Sequence, residues 1–337
     1  MKYNEDTKKQ SPIRKSRSRN LILKKTNTGI PANTLSGEVV SIIGKTIIVR
    51  AIVDGLLVDV TCVKSGAIIS SSEYSNIVAI GDRVHFIYYR DSLSKIVAIE
   101  DRTTKFSRCD PSNRKRELII AANVDTLVIF VSAVLPAINP RFIDRYLVAA
   151  KVSKIKPIIC INKIDLINKS KLYPITTHYN KLGFKVHFIS VTENIGIEKI
   201  TKFLSKRRAV ITGPSGSGKS SFLNLILNTN IQDTSEVSVR TNKGTHTTSF
   251  SRRFELSDSG WIVDTPGIRE FSIWDVTKDE IGVLFPDFEK YFLQCKFTSC
   301  THTNEPGCAV IKALEDGLVA EERYISYLNI YDTLDRF

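Results

Sequence analysis

The sequence lacks an apolar run long enough to cross a membrane. Its longest apolar stretch, residues 126–138, contains Ser132 and Pro136 and is shorter than the roughly 20 residues that a spanning helix needs. The N-terminus also lacks the apolar segment of a secretory signal. We therefore expect no membrane insertion and no export, and we expect the protein to be cytoplasmic.

Acidic charge is scarce, and the imbalance is concentrated at one end. The chain has 48 Lys and Arg against 35 Asp and Glu, a net charge of +13. Residues 1–34 alone hold nine of the basic residues, namely Lys2, Lys8, Lys9, Arg14, Lys15, Arg17, Arg19, Lys24 and Lys25. So polar a segment can bury too little apolar surface to compensate for the conformational entropy that it would lose on folding, which predicts a disordered tail. It is either a solvated tail or an arm that binds nucleic acid, and the basic charge favours a polyanionic partner such as RNA.

Only six cysteines are present, and three of them cluster with one histidine. Cys295, Cys300, His302 and Cys308 fall within fourteen residues. In a chain without an export signal, such clustering argues for a metal site rather than a disulfide framework. Three thiolates and one imidazole form a closed tetrahedral Zn²⁺ site, which leaves no position for substrate water and is therefore structural. The alternative is a set of reduced cysteines without a role.

The distribution of strands and helices predicts three folded parts and an α/β fold class. Residues 36–100 hold short Val- and Ile-rich segments separated by turn residues, which predicts a small β-barrel. We favour an OB-fold, with an SH3-like barrel as the rival. Beyond Arg102, apolar strands alternate with amphipathic helices, which predicts a doubly wound, mainly parallel sheet. The predicted division is a tail (1–34), a barrel (35–105), a central domain (106–275) and a zinc-binding helical domain (276–337).

A phosphate loop follows one of the predicted strands of the central domain. The segment G-P-S-G-S-G-K-S lies between the strand 209–212 and the helix 219–227. Its glycines let backbone N–H groups surround phosphates at the helix N-terminus. Lys219 is expected to bridge the β and γ phosphates, and the Ser220 hydroxyl to hold Mg²⁺. The expected contacts are Gly213, Pro214, Ser215, Gly216, Ser217, Gly218, Lys219, Ser220 and Ser221.

A candidate guanine-reading loop precedes the phosphate loop, although in ordinary GTPases it follows. Asn162-Lys163-Ile164-Asp165 comes after the strand 157–161. The Asp165 carboxylate can accept two hydrogen bonds from guanine, whereas adenine offers the wrong pattern. Asn162 is expected to tie this loop to the phosphate loop, and the Lys163 stem to cover the base. Backbone groups of Ser190 and Val191 are candidates for contact with the guanine carbonyl. Alone, so short a motif is often only a turn.

Two further segments have the character of switch loops. Asp264-Thr-Pro-Gly267 ends the strand 261–264, and we expect Asp264 to reach Mg²⁺ and the Gly267 amide to sense the γ-phosphate. Between this segment and the phosphate loop lie His246, Thr247 and Thr248. One threonine is a candidate for the Mg²⁺ shell, and His246 is a candidate for activating water. The rival interpretation of His246 is a solvent-exposed loop residue.

Together these motifs resemble the RsgA family of circularly permuted GTPases. The resemblance rests on N-K-I-D, G-P-S-G-S-G-K-S, G-T-H-T-T, D-T-P-G-I and the Cys/His run, and it extends from about Ser36 to the C-terminus. It implies an OB-fold, a permuted GTPase domain and a zinc-binding domain. It also implies binding to the 30S subunit and its 16S rRNA during late maturation, with GTP hydrolysis stimulated by the subunit. Release of a maturation factor, or of the protein itself, is implied as well.

Two other functional classes are compatible with parts of this pattern. A P-loop ATPase or kinase would keep the phosphate loop and lack a guanine reader. A non-catalytic RNA-binding protein would bind RNA independently of Lys219. No coiled coil or large apolar stripe indicates self-association, so we expect a monomer whose partners include GTP and GDP.

Overall fold

The computed structural model describes residues 30–66, 74–227, 250–265 and 271–334. These residues form two compact units, one ending at Asp275 and the other beginning at Val276. Most of the predicted basic tail and the candidate residues His246, Thr247, Thr248 and Gly267 lie outside the described residues. Among the helices that are described, none combines the length and apolarity that crossing a bilayer requires.

A closed five-stranded barrel begins the first unit. Its strands are β1 (Thr34–Ile43), β2 (Thr46–Val53), β3 (Leu56–Lys64), β4 (Arg83–Ile87) and β5 (Ser94–Ile99). Alternate residues of β2 are buried, as expected of a strand with one face toward a core. The strands follow the order β1-β2-β3-β5-β4, and a second pairing of β1 with β4 closes the barrel. This order, with β3 parallel to β5, is that of an OB-fold and excludes the SH3-like rival.

The central sheet is mainly parallel, as predicted. Its strands are β8 (Thr126–Ser132), β9 (Lys156–Asn162), β10 (Lys185–Phe188), β11 (Arg208–Thr212), β12 (Phe250–Glu255) and β13 (Trp261–Asp264). They lie in the order β10-β9-β8-β11-β13-β12, and only β12 is antiparallel to its neighbour. Strand β10 ends at Phe188, and Ser190 then exchanges backbone hydrogen bonds with Ile195 in a turn.

Helices of the central domain connect its parallel strands. They are α1 (Pro140–Ser153), α2 (Tyr173–Lys181), α3 (Ile197–Leu204) and α4 (Lys219–Leu227). Helix α2 was not predicted, nor was the separate hairpin of β6 (Lys105–Cys109) and β7 (Glu117–Ala122). Helix α1 starts after Asn139, whose side chain accepts a hydrogen bond from the Arg141 N–H, with Pro140 in the first turn.

The barrel and the central domain share one continuous eleven-stranded sheet. Strand β1 pairs antiparallel with β12, with Ser41 opposite Arg252. Two ion pairs cross the same junction, from Arg253 to Glu38 at 3.0 Å and from Arg50 to Glu255 at 2.6 Å. The edge of the central sheet is therefore covered by the barrel, which removes an exposed strand edge.

The second unit is helical and has an aromatic core. Its helices are α5 (Lys278–Leu284), α6 (Ala309–Glu315) and α7 (Glu321–Leu334), with short 3-10 turns at Pro286–Phe288 and Phe292–Gln294. Phe285, Phe288 and Tyr327 are fully buried and contact one another edge to face or tilted. Arg323 pairs with Asp287 at 2.6 Å beneath this cluster, and both side chains are almost inaccessible to solvent.

Candidate functional site

The phosphate loop leaves the centre of the sheet at its carboxyl edge. Strand β11 lies between β8 and β13, and Ala209 through Ile211 are completely buried. The chain then turns at Gly213 and enters helix α4 at Lys219. A Cβ atom at Gly213 would lie 2.0 Å from the Phe130 carbonyl oxygen, so only glycine fits this close passage. The loop thus occupies the position where ligands of open α/β sheets bind.

Asn162 joins the predicted guanine loop to the phosphate loop. Its Nδ2 donates to the Ser217 carbonyl at 3.0 Å, and its Oδ1 accepts from the Val191 N–H at 3.2 Å. The side chain is buried. Gly218, at φ +95°, makes room for it, since a Cβ there would lie 2.3 Å from Asn162 Nδ2. One amide therefore connects three loops that are far apart in the chain.

Lys163 also bonds to the phosphate loop. Its Nζ donates to the Gly216 carbonyl at 2.8 Å and to the Leu135 carbonyl. Leu135 lies in the loop after β8, and no sequence pattern indicated its part, because a backbone carbonyl acceptor is common to every residue type. Asp165 follows in a 3-10 turn and is exposed. The motif thus presents an exposed carboxylate beside Asn162 and Lys163, the two residues that bond to the phosphate loop.

Lys219 and Asp264 form the charged centre of the site. Lys219 Nζ donates to the carbonyls of Gly213 at 2.8 Å and Pro214 at 3.0 Å. Burial lowers the pKa of Lys219 and raises the pKa of Asp264, and each charge only partly offsets this effect on the other. Within the described part of the chain, Asp264 Oδ1 and Ser217 Oγ are buried and have no hydrogen-bond partner. Such unsatisfied polar atoms fit a site built to receive a magnesium–nucleotide complex.

The remaining predicted contacts surround this centre. The Ser220 and Ser221 side chains are exposed in the first turn of α4, and Ser215 is exposed at the loop tip. Ser190 is buried and its Oγ accepts from the Glu193 N–H at 3.0 Å. Because the Val191 N–H donates to Asn162, the expected contact between Val191 and the guanine carbonyl would require this N–H to be shared.

The chain beyond the second candidate switch segment is held by α1 and the β6–β7 hairpin. The Phe271 ring stacks on Phe106 at 5.5 Å, and its carbonyl accepts from Arg145 at 3.2 Å. The Cys109 N–H donates to the Ser272 carbonyl at 3.0 Å. These anchors were not predicted, although the aromatic side chain of Phe271 soon after Asp264-Thr-Pro-Gly267 was a visible signal.

The Cys/His cluster is brought together in the second unit. The ligand atoms of Cys295, Cys300, His302 and Cys308 all lie within 4.8 Å of one another. The sulfurs of Cys295 and Cys308 are 4.0 Å apart, and His302 Nδ1 lies 3.6 and 3.5 Å from them. Tetrahedral zinc, with bonds of about 2.3 Å to sulfur and 2.0 Å to nitrogen, requires separations of about 3.8 and 3.5 Å. These four residues could therefore hold a zinc ion.

Comparisons with known proteins agree with this architecture. A family model described as RsgA GTPase matches residues 99–274. A protein of Chlorobaculum tepidum named small ribosomal subunit biogenesis GTPase RsgA is 39% identical over 312 residues, covering 89% of this chain and 98% of the relative. A relative of the same name from Chlorobaculum parvum is 38% identical, covering 90% and 99%.

Two solved structures are similar to this chain over most of its length. The crystal structure of YjeQ from Thermotoga maritima has a TM-score of 0.68 and 26% identity, covering 89% of this chain and 98% of its own. YloQ, described as a circularly permuted GTPase, has a TM-score of 0.67 and 25% identity, covering 91% and 97%. The reversed motif order, the permuted neighbour and the matching family model agree, and the chain belongs to the RsgA family of GTPases.

Proposed function

We propose that the chain binds the small (30S) ribosomal subunit and assists its late maturation while it hydrolyses GTP to GDP and phosphate. The subunit stimulates hydrolysis, which is coupled to release of an assembly factor or of the protein itself. The observation that carries the proposal is the 3.0 Å bond from Asn162 Nδ2 to the Ser217 carbonyl, which joins guanine loop and phosphate loop despite their reversed order. The names of the Chlorobaculum relatives support the partner.

In the proposed complex, side chains of the phosphate loop and of Asp264 hold the phosphates of GTP and their Mg²⁺. The Lys219 ammonium exchanges its bonds to the Gly213 and Pro214 carbonyls for bonds to the β and γ phosphates. The exchange is favourable because a buried, partly desolvated ammonium gains two anionic partners. Ser220 and Asp264 would hold Mg²⁺, which neutralises phosphate charge when it is bound.

Base selection rests on Asp165. Its exposed carboxylate can accept from the ring N–H and the amine of guanine, while Lys163, fixed at its Nζ by two carbonyls, lays its stem against the base. A bound adenine would cover the carboxylate and leave it unpaired, and a complete mismatch at a polar group buried in this way lowers the affinity for the wrong base by a factor on the order of 10⁴. Ser190 and Val191 complete this end of the pocket.

Of the four proposed catalytic residues, Lys219 is the buried lysine of the phosphate loop, whereas His246, Thr247 and Thr248 lie outside the described residues and enter as proposals from the sequence. His246 activates or positions the attacking water, and Thr247 or Thr248 completes the Mg²⁺ shell. Gly267 senses the γ-phosphate. Ile268 stands where Ras-like GTPases carry the glutamine that orients water, and its hydrocarbon side chain cannot replace it.

The proposed partners follow from charge and from the barrel. The excess of 48 basic over 35 acidic residues suits 16S rRNA, and OB-folds commonly bind oligonucleotides. A ribosome maturation factor is a further partner, and the protein acts as a cytoplasmic monomer.

The deciding measurement is the GTPase rate of purified protein with and without 30S subunits. We expect slow intrinsic GTP turnover that 30S subunits accelerate many-fold. A His246→Ala variant should still bind GTP, but 30S subunits should not accelerate its turnover. Asp165→Asn should lose GTP and gain xanthosine triphosphate, whose second carbonyl accepts from the new amide. An unchanged rate with 30S subunits would overturn the ribosomal part alone. Hydrolysis of ATP as fast as that of GTP would identify an ATPase. Binding to 30S subunits without any hydrolysis would identify a non-catalytic binding protein.

A further inference from the structure

His302 has a positive φ of +56°, in the left-handed region. Non-glycine residues adopt this region uncommonly, although histidine does so more often than most. In this conformation Nδ1 points at the sulfurs of Cys308 and Cys295, at 3.5 and 3.6 Å. The ligating position of the imidazole therefore depends on whatever holds residues 301–304 in place.

The carboxylate of Glu305 holds this turn from one side. One oxygen accepts from the Thr301 N–H at 2.6 Å and from the Thr301 hydroxyl at 2.5 Å. The other accepts from the Thr303 N–H at 2.9 Å and from the Asn304 N–H at 3.2 Å. The donors come from both sides of His302, and hydrogen bonds to an ionised acceptor are stronger than neutral ones. Both carboxylate oxygens thus accept hydrogen bonds from the turn that carries His302.

Helix α7 and the aromatic core hold the other side. The Tyr324 hydroxyl donates to the His302 carbonyl at 2.8 Å, and the Tyr327 hydroxyl donates to the Thr301 carbonyl. The Phe288 ring meets the imidazole edge to face at 5.8 Å. A Cβ at Gly282 would lie 2.7 Å from His302 Nε2, so the glycine at this position leaves the room that the imidazole occupies.

We propose that Glu305 is a positioning residue of the zinc site. It does not ligate the metal, but its carboxylate fixes the 301–304 turn so that His302 presents Nδ1. Its backbone carbonyl also accepts from the Cys308 N–H at 3.2 Å, so the same residue contacts the chain of two ligands. Groups that orient a ligand from outside the coordination sphere typically change metal affinity by about 10–100-fold. Glu305 accordingly sets how fast the protein loses zinc.

The test is zinc release from the purified, zinc-loaded full-length protein to the coloured chelator 4-(2-pyridylazo)resorcinol. Glu305→Gln keeps the shape of the side chain but replaces one accepting oxygen by an NH₂ group, which cannot accept a hydrogen bond from the backbone N–H donors. We therefore expect about 10–100-fold faster release of zinc. The control is Glu315→Gln, which alters an exposed glutamate of the same unit and should release zinc at the original rate. A folded Glu305→Gln protein that releases zinc no faster than the control overturns the proposal.

Cobalt substitution separates positioning from direct ligation. At saturation, Co²⁺-loaded Glu305→Gln should show the same thiolate charge-transfer intensity per metal as the unchanged protein, but should need more Co²⁺ to reach it. A different spectrum at saturation would mean that the ligand set has changed, and would overturn the positioning role. Should Glu305→Gln fail to fold, Thr301→Val removes only one of the four donors and must accelerate release in the same direction to a smaller extent.

Discussion

Replacing Asn162 by alanine tests the connection on which the nucleotide site depends. The substitution removes a buried amide and leaves the Ser217 carbonyl and the Val191 N–H without their partner. Each lost hydrogen bond costs about 1 kcal/mol net. The free variant can relax its loops, whereas the nucleotide-bound form needs them in place, so the cost falls mainly on the bound form. Two bonds give about 2 kcal/mol, or a roughly 30-fold weaker affinity.

The assay is a fluorescence titration with ribose-labelled GDP, followed by displacement with unlabelled GTP. Because Asn162 faces the loops and not the γ-phosphate, we expect equal losses for GDP and GTP. Asn168→Ala is the matched control, since Asn168 is exposed and caps a short 3-10 turn without touching the phosphate loop. If Asn162→Ala binds GDP within about threefold of the unchanged protein while its unfolding temperature is preserved, the coupling of the two loops has been misjudged.

Two further predictions concern buried charge. Burial raises the pKa of Asp264 in the folded protein, so the stability linked to its protonated form is present at low pH and lost as pH rises through the folded pKa. Asp264→Asn should therefore raise the thermal stability of the nucleotide-free protein at pH 7, and this gain should shrink toward pH 4. The same substitution should weaken magnesium-dependent GTP binding. Calorimetry that shows lower stability of the variant at pH 7 would contradict the reasoning. Arg323→Met removes the buried ion pair with Asp287 and should cost about 3–5 kcal/mol in urea unfolding. The double variant Arg323→Met/Asp287→Leu should recover most of this loss; no recovery would mean that the guanidinium stabilises mainly through the Phe285 ring.

The parts of the site that are local in sequence were predictable. The buried strand β11, the glycine-rich turn and helix α4 follow one another, so residue pattern alone placed the phosphate loop at the end of a strand. The Cys/His ligand set was equally local, since Cys295 and Cys308 are thirteen positions apart. The bounds of α4 agree with the predicted 219–227. Helix α2 was missed because Tyr173–Lys181 has a polar, threonine-containing sequence with few apolar positions and only two buried residues, Thr176 and Tyr179.

Contacts made by backbone groups were not predictable. Lys163 donates a hydrogen bond to the Leu135 carbonyl, and the Ser272 carbonyl anchors the chain after the second candidate switch segment. Every residue carries a backbone carbonyl, so residue type does not indicate these two positions. Glu305 was missed for a related reason. A glutamate in a polar turn has the composition of a solvated residue, and only the folded turn brings four donors to its carboxylate.

The sequence by itself determined the family, the order of its motifs, the zinc ligand set and the presence of a β-barrel before an α/β domain, because these depend on side-chain chemistry at fixed spacing. Only the tertiary structure decided that the barrel closes through β1 and β4, and that β1 also pairs with β12 to make one sheet. Pairing between distant strands is made by N–H and C=O groups that are identical along the chain. Which strands meet is therefore settled by the packing of the whole fold and not by any local pattern.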